Sequence, residues 1–211
     1  MPVRVSGRTL AIASGHDLSL ALLEGEVVVA EANLPMHSGH SERLMPELRT
    51  LLRPFGGAAL GPSRIVVETG PGSFTGLRIG IAAARALGQA WGCPVRGVSS
   101  TLLVAATAMA RGQTGRLMVA LAAPRGQIWL QAFQLPELAS LGEAVALLPE
   151  DAAAATREFA CLAGTAAGLP ADGQTYLASA PLAAAVRLVP PRLLREAVPL
   201  YIRPGEVRAA A

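Results

Sequence analysis

The sequence predicts an α/β chain of two related subdomains. Three observations carry this: the first hundred residues order their apolar runs as βββαβα, 52% of the 211 residues are hydrophobic with only 16% charged, and the opening strand pattern returns in degraded form from residue 117. A chain this apolar folds around a core, and its length allows one large domain or two small ones. The division is expected between 1–99 and 100–211.

Residues 9–13 form a short buried run, 18–23 follow the Gly15-His16-Asp17 turn, and Gly25 turns the chain into 26–32. Three strands in succession imply an antiparallel meander. Residues 40–53 place Leu44, Leu48, Leu51 and Leu52 at helical spacing, with Ser38 or Ser41 as the cap and Pro46 expected in the first turn or at a kink. Residues 64–68 are a β-branched strand. The turn Gly70-Pro71-Gly72-Ser73-Phe74-Thr75-Gly76 then opens a helix to about Trp91, which Gly92 and Pro94 stop. A strand at 95–98 and an Ala-rich helix at 101–110 follow. The second half offers 117–122, a turn at Pro124-Arg125-Gly126, 127–134, a strand at 144–148, a helix from Glu150, a strand at 159–162 and the apolar segment 181–188. Ala11-Ile12-Ala13 and Ala120-Leu121-Ala122 occupy matching places in the two halves.

All 18 basic residues are arginine, so no Schiff-base or phosphate-loop lysine exists in this chain. The net charge of +3 is mild, but its distribution is uneven: between Glu68 and Glu137 there is no acid, while Arg78, Arg85, Arg96, Arg111, Arg116 and Arg125 fall inside that window. This cationic stretch reads as the rim of a protein interface first and an RNA contact second. The longest uncharged runs, 97–110 and 173–186, fall short of the roughly 20 residues of a membrane-spanning helix. The apolar run 9–13 is too short for a signal-peptide core, and a cytoplasmic location is expected. Cys93 and Cys161 read as buried reduced thiols.

The glycine turn invites a phosphate-binding reading, but its spacing fails. Thr75 stands where both a Walker loop and a dinucleotide fingerprint need glycine, and Gly76 stands in the lysine position. The following helix carries a different signal. Gly76, Gly80, Ala84 and Gly88 recur every four residues and line a stripe on which another backbone can approach closely, with Leu77 and Ile81 beside it. Intramolecular packing and a docking surface shared with the 40–53 helix are both open to it. His37, His40 and Glu42 lack the spacing of a metal site and read as loop and cap residues. No G-x-S-x-G elbow occurs, and Asp17, Asp151 and Asp172 sit where turns or caps want them.

The run Gly70-Pro71-Gly72-Ser73-Phe74-Thr75-Gly76-Leu77-Arg78-Ile79-Gly80, preceded by His40-Ser41-Glu42-Arg43-Leu44-Met45-Pro46, resembles the TsaB (YeaZ) family. The tail Pro199-Leu200-Tyr201-Ile202-Arg203-Pro204 is similar to that family's C-terminal signature. The resemblance implies an actin-like, sugar-kinase-like (ASKHA) fold of two RNase H-like subdomains. It also implies a non-catalytic subunit, without a cofactor of its own, in threonylcarbamoyl modification of the adenosine beside the tRNA anticodon. The implied partner is TsaD, the threonylcarbamoyl transferase subunit, with the ATPase TsaE joining the pair, TsaC supplying threonylcarbamoyl-AMP, and tRNA contacted indirectly. Self-association of the free chain is open. The docking residues so implied are Leu44, Leu48, Leu51 and Leu52 on one helix and Leu77, Gly80, Ile81 and Ala84 on the other.

Two departures stand out. Ala13-Ser14-Gly15 replaces the Asp-Thr-Ser usual in relatives, and Ala122-Ala123-Pro124 replaces Asp-Ala-Arg. Both strand ends are thus expected to lack the carboxylates that hold metal and phosphate in active members of the wider fold. An ATP-dependent phosphotransferase or metallopeptidase of the actin-like class, and a homodimeric scaffold unrelated to tRNA, are the alternatives.

Overall fold

A computed structural model describes residues 3–36 and 38–202. In the first unit, β1 (Val3–Ala13), β2 (Leu18–Glu24), β3 (Val27–Leu34), β4 (Leu60–Gly70) and β5 (Val95–Ser99) form one sheet in the order β3-β2-β1-β4-β5. The β1–β2–β3 meander is antiparallel, whereas β1, β4 and β5 run parallel. Parallel neighbours need crossovers, and α1 (His40–Leu52) and α2 (Phe74–Trp91) lie in them.

The core follows from two periodicities meeting. Leu10 and Ile12, Leu18, Leu20 and Leu22, and Ile65 and Val67 alternate along their strands, and Leu44, Leu48, Leu51, Leu52, Ile81 and Ala84 come down on them from the helices. Each fully buried leucine contributes about 1.5–3 kcal/mol. Neither Ser38 nor Ser41 caps α1: Gly39 takes that position in left-handed conformation, and Ser41 Oγ donates to Glu42 Oε2 instead. Pro46 lies beyond the first turn. Glu42, whose carbonyl it deprives of a helical donor, is an exposed residue.

In the second unit β6 (Gly115–Ala122), β7 (Ile128–Leu135), β8 (Ala139–Ser140), β10 (Cys161–Gly164) and β11 (Thr175–Ala178) form a sheet ordered β11-β10-β6-β7-β8, and β9 (Val145–Leu147) also pairs with β7. Antiparallel and parallel pairings fall in the same places as in the first sheet. Each sheet therefore has the RNase H-like arrangement, and its duplication is that of the actin-like, sugar-kinase-like fold. α3 (Ser100–Ala110) precedes β6, and α4 (Pro149–Thr156) precedes β10. Met118, Leu130, Phe159 and Leu162 centre the core of this unit. β8 and β11 are too short for a two-residue period to register in the sequence.

The first unit runs to Leu103 and also takes in Pro181–Leu200, whose return to the first unit the sequence spacing does not signal. This strap is tied by backbone. Ala183 N donates to Ser19 Oγ at 2.8 Å, Gly97 and Arg195 exchange both N–H···O bonds at 2.8 and 2.9 Å, and Leu200 N donates to Thr69 O at 2.7 Å. Of the tail motif, Arg203 and Pro204 lie outside the described residues, as does His37.

Candidate functional site

The glycine turn between β4 and α2 is folded onto the turn that ends β1. Ser73 N donates to Gly15 O at 2.6 Å, and Ser14 Oγ donates to Gly76 O at 3.0 Å. Ser73 also caps α2, its Oγ accepting from Gly76 N at 3.3 Å. The small residues of the stripe are required by this contact. A Cβ at Gly72 would lie 2.8 Å from Gly15 O, and one at Gly76 or Gly80 would overlap Ser14 O or Ser14 Oγ. Gly70, at φ 113°, makes the bend into the turn in a region other residues avoid. Pro71 is buried beneath, while Phe74 and Thr75 are exposed and the Arg78 guanidinium stacks 3.7 Å from the centre of the Phe74 ring.

The end of β1 has no carboxylate of its own, as Ala13-Ser14-Gly15 requires, but one reaches it from β4. The β1–β4 register sets Ile12 beside Val67, and the next residue of β4 is Glu68, fully buried. Its Oε2 accepts the backbone N–H groups of Ser14 at 2.7 Å and Gly15 at 2.6 Å, and its Oε1 accepts the Ser100 hydroxyl at 2.6 Å. His16 Nδ1 lies 3.6 Å from Oε1. Burial alone would push the Glu68 carboxyl up, but the His16 side chain, the Ser100 hydroxyl and the Gly15 N–H outweigh it and hold the group below its ordinary value. Two successive N–H groups converging on one anionic oxygen form a small anion nest, and the chain fills that nest with its own side chain. The oxygens so occupied are poorly disposed to hold a metal, and no cluster of three potential metal ligands occurs among the described residues. Sequence reasoning passed over Glu68; its signal was a lone acid closing an otherwise β-branched strand.

The residues expected to meet a partner lie instead in the core of their own unit. Leu44, Leu48, Leu51, Leu52, Leu77, Gly80, Ile81 and Ala84 are all buried. The reason is physical: the most apolar face of each helix is the one spent on the sheet. The stripe of α2 packs on the end of β1 and on Val95 of β5, so its role is intramolecular. Turned outward are Met45, 49% exposed, with Pro46 and Arg49 on α1, and Ala82, Ala86 and Ala90 at four-residue spacing on α2. Met45, Pro46, Leu48, Leu52, Leu87 and Trp91 line an apolar cleft of about 380 Å³ between the helices.

In the second unit, Ala122 and Ala123 border a cleft of about 360 Å³ whose lining includes Gly126, Ile128, Pro149 and Leu169 and no ionisable side chain. This strand end offers no carboxylate. His40, buried, meets His16 O through Nε2 at 2.9 Å, a loop-tying role, and Glu42 is exposed.

Residues 35–171 match the family described as "TsaD: tRNA N6-adenosine threonylcarbamoyltransferase". The chain is 36% identical over 121 residues to the tRNA threonylcarbamoyladenosine biosynthesis protein TsaB of Bacillus subtilis, a stretch covering 57% of this chain and 52% of that one. It is 31% identical over 98 residues to TsaB of Escherichia coli, covering 46% and 42%. The chain thus spans about half the length of the curated relatives it matches. Among solved structures, YeaZ from Pseudomonas aeruginosa superposes with a TM-score of 0.76 at 26% identity, over 93% of this chain and all of that one.

Proposed function

Because the chain belongs to the TsaB (YeaZ) family, a branch of the wider TsaD family, we propose that it is a non-catalytic subunit of tRNA threonylcarbamoyladenosine synthesis that binds and activates TsaD. The observation that carries this reading is the outward face of α1 and α2. An exposed apolar cleft beside a flat row of alanine methyl groups is a surface onto which a second pair of helices can pack closely. A stable complex buries about 800 Å² on each partner, an area within reach of two helices of 13 and 18 residues. The buried leucines and the glycine stripe support the face from beneath, and Leu48 and Leu52 among them line its cleft.

TsaE joins the pair, TsaC supplies the activated threonylcarbamoyl group, and the free chain offers the same face to a second copy of itself. The modification takes place on tRNA, and a cytoplasmic location goes with that reading. Among the described residues no helix is long and apolar enough to cross a membrane.

Ala86→Arg and Met45→Asp test the docking face, since both side chains are exposed and either change leaves the core intact. Each is expected to weaken association with TsaD at least about tenfold, roughly 1.4 kcal/mol, in a titration of purified proteins. Undiminished binding by both variants overturns the interface. Depletion of the protein in cells, with modified adenosine measured in bulk tRNA, tests the pathway itself, and unchanged levels remove it.

A further inference from the structure

The strand order of the first sheet converts a sequence asymmetry into a spatial one. β3 and β5 are opposite edges. Exposed Glu24, Glu26 and Glu31 lie on β2 and β3 or between them, whereas Arg96 lies on β5, beside the strap that carries Arg192 and Arg195. Hydrogen bonds make the arginine group contiguous. Arg195 is paired through its backbone with Gly97, the neighbour of Arg96; its Nη1 donates to Arg192 O at 2.9 Å; and Arg85 Nη2 donates to Ala197 O at 2.7 Å.

These four cations differ from Arg8, Arg43 and Arg116, each of which has a carboxylate partner at 2.6, 2.7 and 3.1 Å. Arg85 and Arg195 are held by carbonyls, which fix a guanidinium without cancelling its charge, and among the described residues none of the four is ion-paired. All four are exposed. Glu196 is the one acid in this part of the strap. Positioned, uncompensated arginines are suited to the repeated charges of a nucleic-acid backbone.

We propose that Arg85, Arg96, Arg192 and Arg195 form a contact for RNA phosphates, so that this subunit touches tRNA directly and not only through its partner. The proposal rests on the tRNA reading above. Its test is fluorescence anisotropy of a labelled anticodon stem–loop RNA titrated with the full chain alone at several salt concentrations. The wild type is expected to bind with a log–log salt slope of about −3, as four contacts require. Arg96→Glu/Arg192→Glu, whose side chains make no described hydrogen bond, should lose about tenfold or more in affinity and flatten the slope by about 1.5. Arg195→Gln should flatten it by about 0.8. Arg43→Glu, which makes the same Arg-to-Glu change at a site already paired with Glu47, should bind RNA as the wild type does.

Absent RNA binding, or equal binding by the wild type and the double variant, overturns the proposal. So does displacement of RNA by polyglutamate at equal charge concentration, which assigns the patch to an acidic protein. The two readings separate cleanly. Modification that falls on depletion while the chain binds no RNA overturns the patch alone; RNA bound through these arginines with modification unchanged on depletion keeps the patch and overturns the pathway.

Discussion

Glu68→Ala is expected to destabilise the first unit by about 3–5 kcal/mol, because it leaves the N–H groups of Ser14 and Gly15 and the Ser100 hydroxyl without their buried acceptor. Urea denaturation measures the loss, and a change below about 1 kcal/mol would remove the carboxylate from its structural role. Glu68→Gln keeps one oxygen for the two backbone donors and should cost about 1–2 kcal/mol. The pH dependence has a definite sign. The folded group titrates below its ordinary value of 4.5, so the stability it supplies is fully present above that value and is lost as pH falls through the lower, folded one. Denaturation midpoints of the wild type should therefore hold steady down to about pH 5 and then drop more steeply than those of Glu68→Gln.

The second large effect is expected at Gly80. A Cβ there already overlaps Ser14 Oγ, so Gly80→Arg has no room for its side chain short of separating α2 from β1. The variant should fail to accumulate as folded protein, while Gly80→Ala, which must push the Ser14 hydroxyl off Gly76 O, should lose about 1–3 kcal/mol. Circular dichroism and thermal melts decide between this and a mere surface change, and a Gly80→Arg protein melting like the wild type would contradict the packing described. Loss of a partner in Gly80→Arg would report misfolding. Ala86, on the outward row of the same helix, is the position at which an arginine probes docking alone.

The contrast between Gly80 and Ala86 shows what the sequence could and could not reveal. Leucines at 44, 48, 51 and 52 and small residues at 76, 80, 84 and 88 identify two helices and one face of each, because spacing is a local property. Whether that face turns to a partner or to the chain's own sheet depends on residues far off in sequence, and the strongest apolar face goes inward. The outward surface of Met45 and three alanines is too weakly patterned to stand out. Glu68 was hidden for a related reason. Its donors Ser14 and Gly15 lie 54 and 53 residues earlier and reach it only through the parallel register of β1 and β4. The meander, the βββαβα order of elements and the repeat of the opening strands were legible since strand alternation and glycine stops declare themselves locally, whereas the sheet order, β8, β11 and the strap depend on pairing partners elsewhere in the chain.

The strap also sets a timetable. The second unit is inserted between Leu103 and Pro181, so the first is discontinuous in sequence, and its Ser19 waits for a donor 164 residues later. On the ribosome the first sheet can be assembled early, yet β5 keeps an open edge until Arg195, 98 residues after Gly97, has been made and can cover it. The first unit is therefore completed only after the second has been made, and any translational stall before residue 195 releases an intermediate with an open strand edge, the kind of surface on which aggregation begins.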